Sequence, residues 1–413
     1  MTFDQPTLGR RLREARESRS LSQQAAADTL GLPRTAMTQI EAGNRSVSTL
    51  ELAQLAELYR RPVAGFFQEG PLQEDELLVA LHRLAPDLNI NSYIKEQVEQ
   101  CLSIVQEGCA LERLLGRPPR SGPPAYPTPA PRTVGEAITQ GEQVATQERK
   151  RLGLGHAPLA DMAELIADQG IWAAAVSLPD AMSGLFLRHV AIGMAILVNL
   201  SHVRARQRFS YAHEYAHALL DREQPVTIST SDNASELIEK RANAFAAAFL
   251  LPGGGVMDLL RALDKGQPSR QEQAVFDVAT QGRIEAYLRP VPGSQAITYQ
   301  DVALLAHHFG VSYQAATYRL RSLNLVSQQE GNALLNREQA GKDLLGLLKM
   351  LDDLEKTENQ ERQDRELKTQ VVHLALEAYR REEISRGKLL ELSTTLGLPG
   401  PKLVELAEAA KPN

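Results

Sequence analysis

The stretch FSYAHEYAHALL, residues 209–220, decides how this chain is read. It reads as most of a helix at about 205–221. Residues four apart on a helix share a face, so His213 and His217 can bind one ion from one side. Glu214 projects roughly 100° away by the 3.6-residue period. It can then sit beside an ion without ligating it, where a base acting on water belongs. A hydrolytic site of this kind built on zinc needs a third protein ligand and an open fourth position.

The next segment, NASELIEKRANAFAAAFLLP (233–252), supplies candidates. As a helix over 233–251 it places Glu236, Glu239 and Asn243 on one stripe and Ile238, Ala242, Phe245 and Phe249 on a neighbouring apolar stripe. Asn233 with Glu236 three residues on fits a capping box, which gives Glu236 a structural task. Glu239 remains as the better ligand. Asn243, one turn on, suits support of a histidine from behind. PGGG, 252–255, ends this helix. Either glutamate alone would be an ordinary solvated charge. Two histidines and a glutamate followed by such a helix are a specific combination.

Working outward, MAELIADQGIWAAAV (162–176) reads as a helix running into a strand. SGLFLRH (183–189) and VAIGMAILVNL (190–200) read as a strand pair, the second apolar enough to be central. Beyond residue 256 the pattern is helical, with a helix, a Gly310 turn and a helix in ITYQDVALLAHHFGVSYQAATYRLRSLNLV (297–326). DDLEKTENQERQDRELKTQ (352–370) reads as a solvated helix face or a tether. LGLPGPKLVELAEAA (396–410) places Glu405 and Glu408 where a DNA-reading helix would want basic residues, so it reads as a packing or partner helix. Upstream, residues 72–115 read as amphipathic helix. GRPPRSGPPAYPTPAPR (116–132) cannot sustain a helix and reads as an extended spacer and domain boundary.

At the other end lies LSQQAAADTLGLPRTAMTQIEAGNRS (21–46). Ser22 caps a short helix, Gly31 and Leu32 turn the chain, and Pro33 suits the start of a second helix. That helix buries Met37 and Ile40 and exposes Arg34, Thr35, Thr38 and Gln39, residue types that hydrogen-bond base edges and phosphates in a major groove.

Composition bounds these readings. The chain has 413 residues, 43% hydrophobic and 5% aromatic, with a net charge of −6. It is long enough for several cores, and it has no global attraction to nucleic acid, so DNA binding must come from a local patch. The longest apolar run, VAIGMAILV, is too short to span a bilayer, and no membrane partner is expected. The two cysteines, Cys101 and Cys109, would lie roughly 12 Å apart on one helix, too far to bridge, which fits a reducing, cytoplasmic setting.

Two resemblances follow from these motifs. Residues 8–67, with IEAGNRS and LELAQLAELYRRPVAGFF, resemble the phage-repressor-like (XRE) helix-turn-helix family. The likeness implies a five-helix head that binds double-stranded DNA: Gln23 contacts the backbone, Arg34, Thr35, Thr38 and Gln39 read bases, and Arg45 touches phosphate. Residues 134–326, with ILVNL, RQRFSYAHEYAHALL, IEKRANAFAAAFLLP and FGVSYQAATYRLRSLNLV, resemble the ImmA/IrrE metallopeptidases. That likeness implies a zincin core, a small twisted sheet with the metal helix beneath it. It implies zinc held by His213, His217 and Glu239, with Glu214 as base and Asn243 behind the ligands. It also implies cleavage of a partner repressor in a stress or mobile-element response. Many members carry Leu, Gly and a second Glu where Tyr215, Ala216 and Arg241 stand here.

The expected architecture is mainly α, α+β overall. It comprises a helix-turn-helix head (1–68), a helical connector with the proline spacer (69–131), a zincin-like domain (132–258), a helical part of the peptidase unit (259–328) and a helical accessory region (329–413). A homodimer is compatible with this organisation.

Overall fold

The computed structural model describes residues 4–19, 21–59, 63–67, 92–189, 192–224, 226–230, 233–265, 271–277, 282–288, 293–355 and 365–409. Contacts divide the chain into two compact units, Met1–Ala85 and Pro86–Asn413.

In the first unit α1 (Gln5–Ser18) is capped by Asp4, which accepts from the Thr7 amide at 3.0 Å. Ser22 caps α2 (Gln23–Thr29) through the Ala25 amide at 3.1 Å. Gly31, at φ 63°, makes the turn into α3 (Arg34–Glu41), and α4 (Thr49–Tyr59) closes the bundle. The fifth element is a single 3-10 turn, Val63–Phe66, rather than a full helix. Leu12, Ala26, Ala27, Met37, Ile40, Leu55, Tyr59 and Phe66 form the core, so Met37 and Ile40 are buried as their spacing requires.

The second unit opens with α5 (Ser92–Leu114); the earlier part of the expected 72–115 helix, residues 72–91, lies outside the described residues. α6 (Val134–Arg151) and α7 (Met162–Asp168) lead to the sheet. Its strands are β1 (Trp172–Val176), β2 (Met182–His189), β3 (Gly193–Asn199) and β4 (Val226–Thr230), in the order β1-β3-β2-β4. β1 runs parallel to β3, while β2 is antiparallel to both neighbours, with Leu185 opposite Leu197 and Ile228. β3 is central, and Met194–Asn199 are all buried, as a strand covered on both faces demands.

Between β3 and β4 runs α8 (Arg204–Leu220), packed on β2 and β3. After β4 comes α9 (Leu237–Leu250), which packs on α8 and most extensively on α6. At the α6–α9 crossing a Cβ on Gly141 would stand 2.4 Å from the Arg241 carbonyl oxygen and 2.8 Å from the Phe245 nitrogen. Only glycine lets these backbones approach so closely.

Three expectations are corrected. PGGG does not merely end α9: Gly253 opens α10 (Gly253–Ala262) after a break at Leu251 and Pro252. The chain beyond 256 is not all helical, because β5 (Gln271–Asp277) and β6 (Gly282–Leu288) pair as an antiparallel hairpin, with Gln271 opposite Leu288. Val275, Phe276, Ile284 and Tyr287 favour strands, and local cross-strand pairing overrides the helix preference of the intervening Gln, Glu and Ala.

The proline segment is not a free spacer. It is non-helical, but it straps across the body: the Tyr126 amide donates to Leu219 at 2.9 Å, and the Arg222 guanidinium donates to the Pro123 carbonyl at 2.9 Å. Proline removes donors but leaves carbonyls free to accept, which a cationic side chain uses here.

The rest is helical, as expected. α11 (Tyr299–Phe309) ends at Gly310, φ 65°, and is followed by α12 (Tyr313–Ser322). α13 (Gln328–Leu335), α14 (Glu338–Leu347) and α15 (Asp352–Glu355) come next, then α16 (Arg365–Arg380), α17 (Arg386–Leu396) and α18 (Gly400–Ala409). Residues 356–364 of the charged stretch lie outside the described residues. Among the described residues no single helix is long and apolar enough to cross a membrane, and both cysteines are free thiols.

Candidate metal centre

α8 and α9 bring His213, His217 and Glu239 together. His213 Nε2 lies 3.0 Å from Glu239 Oε2 and 3.2 Å from His217 Nε2, and His217 Nε2 lies 3.5 Å from Glu239 Oε1. Ligands about 2.0–2.1 Å from a tetrahedral ion stand roughly 3.3–3.4 Å apart. Donor separations of 3.0 to 3.5 Å therefore fit one such ion between them. The three are the cluster of metal-binding geometry among the described residues, and all are buried. The helix over 233–251 begins later than its sequence implies, at Leu237, and Glu236 is its N-cap with no side-chain capping bond. Asn233 instead serves the end of β4, accepting from the Thr230 amide at 2.9 Å and donating to the Ile228 carbonyl at 2.8 Å. The capping box is thus absent because the strand end competes for the same asparagine. Glu236 is exposed, and Glu239 is the carboxylate at the histidines.

Both imidazoles are held from behind. Asn243 Oδ1 lies 3.0 Å from His213 Nδ1, where the i+4 spacing from Glu239 puts it. Asp221 Oδ2 lies 3.0 Å from His217 Nδ1, and the other Asp221 oxygen accepts from Arg241. These partners on Nδ1 aim both Nε2 atoms at the same point. Asp221 escaped the sequence reading although it stands four residues after His217, the same spacing that picked out the histidines. Arg241 braces Asp221 and leaves the Glu239 position intact.

Burial lowers the pKa of His217, but the Asp221 hydrogen bond and the charges of Glu214, Glu239 and Asp221 outweigh it and raise the value. Without an ion the pocket therefore favours a proton on His217, which a metal must displace. Replacing Asp221 by Asn should weaken metal binding by about 10–100-fold, the usual cost of losing a partner behind a ligand. Competition with a fluorescent chelator measures this; unchanged affinity would show that Asp221 does not orient the ring.

Glu214 points away from the ligand line, toward the sheet. It is completely buried, and neither oxygen has a well-formed hydrogen bond among the described residues. Burial raises its pKa, opposed by the nearby histidines and by the Ser229 hydroxyl of β4. Room for it is made by Gly184: a Cβ there would lie 2.9 Å from Glu214 Oε1 and 3.0 Å from the Leu197 carbonyl oxygen. The β2–β4 register shifts between Met182 and Gly184, at the point where the carboxylate is accommodated.

Residues 167–271 match the IrrE N-terminal-like domain, a peptidase family, and residues 7–65 match a helix-turn-helix domain. The chain carries both domains. No curated protein matches it. The IrrE-like match spans the whole sheet, α8 and α9, so it contains every residue of the metal cluster.

The tyrosines of the IrrE-like domain are not at its surface. Tyr211 is buried, and Tyr215 is fully buried between Phe245 and Phe249. Its hydroxyl donates to Glu148 of α6, which also accepts from Tyr126 at 2.8 Å and from Arg151. The Tyr215 hydroxyl thus satisfies a buried carboxylate. His307 is half-buried and His308 exposed, both on α11.

In the helix-turn-helix domain Arg34, Thr35, Thr38 and Gln39 are exposed on α3. Thr38 donates to Gln23 at 3.2 Å, and Gln23 donates to Glu41 at 2.8 Å, so Gln23 is oriented within the fold. Glu41 is buried against Arg16. Arg45 is paired with Glu51 at 2.7 Å.

Proposed function

We propose that the protein is a DNA-binding transcriptional regulator and zinc-dependent endopeptidase that cleaves a partner repressor protein in a stress or mobile-element response. The observation that carries this reading is the convergence of His213, His217 and Glu239 with tetrahedral spacing beside the buried Glu214 carboxylate. Zinc held there would supply Lewis acidity, lowering the pKa of water to about 7 and polarising a carbonyl.

The chain's own residues supply the rest. Glu214, with only the Ser229 hydroxyl of β4 beside its carboxylate, is available to take a proton from the attacking water and return it to the leaving amine. Asn243 and Asp221 fix the imidazoles, and burial keeps bulk water away. β4 is an edge strand, and its Ser229 lies against Glu214, so an extended substrate segment adding to that edge would lie over the reactive groups. The decisive experiment incubates purified full-length protein and zinc with a repressor encoded beside it, with and without chelator. Chelator-sensitive cleavage at a defined bond, read by mass spectrometry, supports the reading; an intact repressor under zinc-replete conditions counts against it.

One observation favours a second reading, a peptidase-like domain that senses a ligand or partner without cutting. Glu214 and His217 have no exposed surface, so the site is closed as it stands. A regulator of this kind would have no proteolysis to lose on substitution of Glu214, but would lose zinc-dependent structure on substitution of Glu239.

For the DNA-binding head, Arg34→Ala and Gln39→Ala should each cost about 1–3 kcal/mol of specific affinity and relax the sequence preference. Titration of its own promoter region against a scrambled duplex measures this, and unchanged specific binding would remove α3 as the reading helix.

A further inference from the structure

A cavity of about 590 Å3 lies at the far end of α8, between the proline strap, the end of α5 and the β2–β3 turn. Arg113, Arg117, Arg120, Arg188 and Arg222 line it, against the carboxylates of Glu112 and Glu223. In a chain of net charge −6 this is a concentrated positive site. Of the five, Arg120 has a carboxylate partner, Glu112 at 2.8 Å, and it also stacks 3.5 Å over Trp172. Arg113, Arg188 and Arg222 are met by backbone carbonyls among the described residues. Arg113 donates to Cys109, Arg188 to Arg222, and Arg222 to Ala218, Pro123 and Pro124. Carbonyls orient a guanidinium but do not neutralise it. At Arg222, burial and the adjacent Arg188 charge depress the pKa and outweigh the opposing charge of Glu223.

Such an arrangement is stable only at some electrostatic expense, which an anion would relieve. Guanidinium forks match phosphate oxygens in geometry and charge. The volume falls within the roughly 300–1,000 Å3 usual for small-molecule sites. Pro118, Pro119, Ile192 and Met194 add apolar wall to the same cavity. We propose that this cavity binds a phosphorylated small molecule of nucleotide size, its phosphates between Arg117, Arg188 and Arg222 and its uncharged part against the proline and methionine wall. The site also gives the proline strap a task, since residues 117–121 form one of its walls and Pro123 and Pro124 hold Arg222 in place. It lies within the same compact unit as the metal cluster, and Arg222 directly follows Asp221, the residue that orients His217.

The test uses the full-length protein and two probes without added divalent metal, ADP and inorganic pyrophosphate, by isothermal titration calorimetry. ADP should bind saturably at one site per chain, and more tightly than pyrophosphate. Arg117→Gln and Arg188→Gln, both at exposed side chains, should each weaken ADP about tenfold or more, since a charge-assisted hydrogen bond contributes roughly 1.5–3 kcal/mol. Thermal melting of each variant confirms that it is folded. Absence of saturable ADP binding, equal affinity of ADP in the variants, or equal affinity for pyrophosphate and ADP would each overturn the proposal. So would a single-stranded oligonucleotide that binds through the same arginines more tightly than ADP. None of these outcomes depends on whether the metal centre cleaves anything.

Discussion

Glu214→Gln is expected to keep its zinc and to lose cleavage of the partner repressor by about 10²–10⁴-fold, the range that a positioned proton-transfer group supplies. Retention of metal follows from position. The three donor atoms within reach of one another belong to His213, His217 and Glu239, and Glu214 is turned toward Gly184 and Ser229 instead. Loss of activity follows from chemistry. A glutamine fills the same volume and can use the Ser229 hydroxyl, but it cannot hold a proton between water and amine. The measurement pairs zinc content by plasma mass spectrometry with kcat/KM on the repressor. Cleavage at the unsubstituted rate would remove Glu214 as the base, while loss of zinc along with activity would show that it has a ligand's or structural role.

Glu239→Ala is expected to lower metal affinity by well over the about 10–100-fold that a residue behind a ligand costs, because it removes a donor outright. The same change leaves the two imidazole nitrogens, 3.2 Å apart, without the carboxylate that balances an ion between them. Glu236→Ala is the matched comparison, since Glu236 is exposed one turn earlier at the start of α9. Chelator competition on both variants should separate them clearly. If Glu236→Ala lost metal and Glu239→Ala kept it, the α9 assignment would be reversed.

These two expectations show how far local sequence reaches. His213, Glu214 and His217 could be placed relative to one another because helical spacing alone sets which side chains share a face. Asn243 followed from Glu239 by the same rule. Asp221 obeys that rule too, but it sits at the last turn of α8, where a carboxylate reads as an ordinary helix-end charge. Arg241 could not be read locally at all: its partners are Asp221 at the end of α8 and, at 3.3 Å each, Thr128 of the strap and Gln140 of α6.

The capping box failed for a related reason. Asn233 and Glu236 have the spacing of a cap, but the asparagine bonds back to β4, an interaction set by where the strand ends. The hairpin at 271–288 is not legible locally because Gln, Glu and Ala weigh toward helix one residue at a time, whereas strand pairing is a property of two segments. The proline segment is legible as non-helical but not as anchored, since nothing local announces that its carbonyls are claimed by Arg222.

By itself, then, the sequence determined most of the helices, their buried stripes, the central strand and the shared face of His213 and His217, because these rest on periodicity and on interactions within a few residues. Tertiary structure alone decided that Arg241 braces Asp221, why Gly141 and Gly184 must lack side chains, and where the arginines gather. Those outcomes depend on segments 20 to 100 or more residues apart being brought to about 3 Å, a distance that burial of a shared core sets and no local pattern encodes.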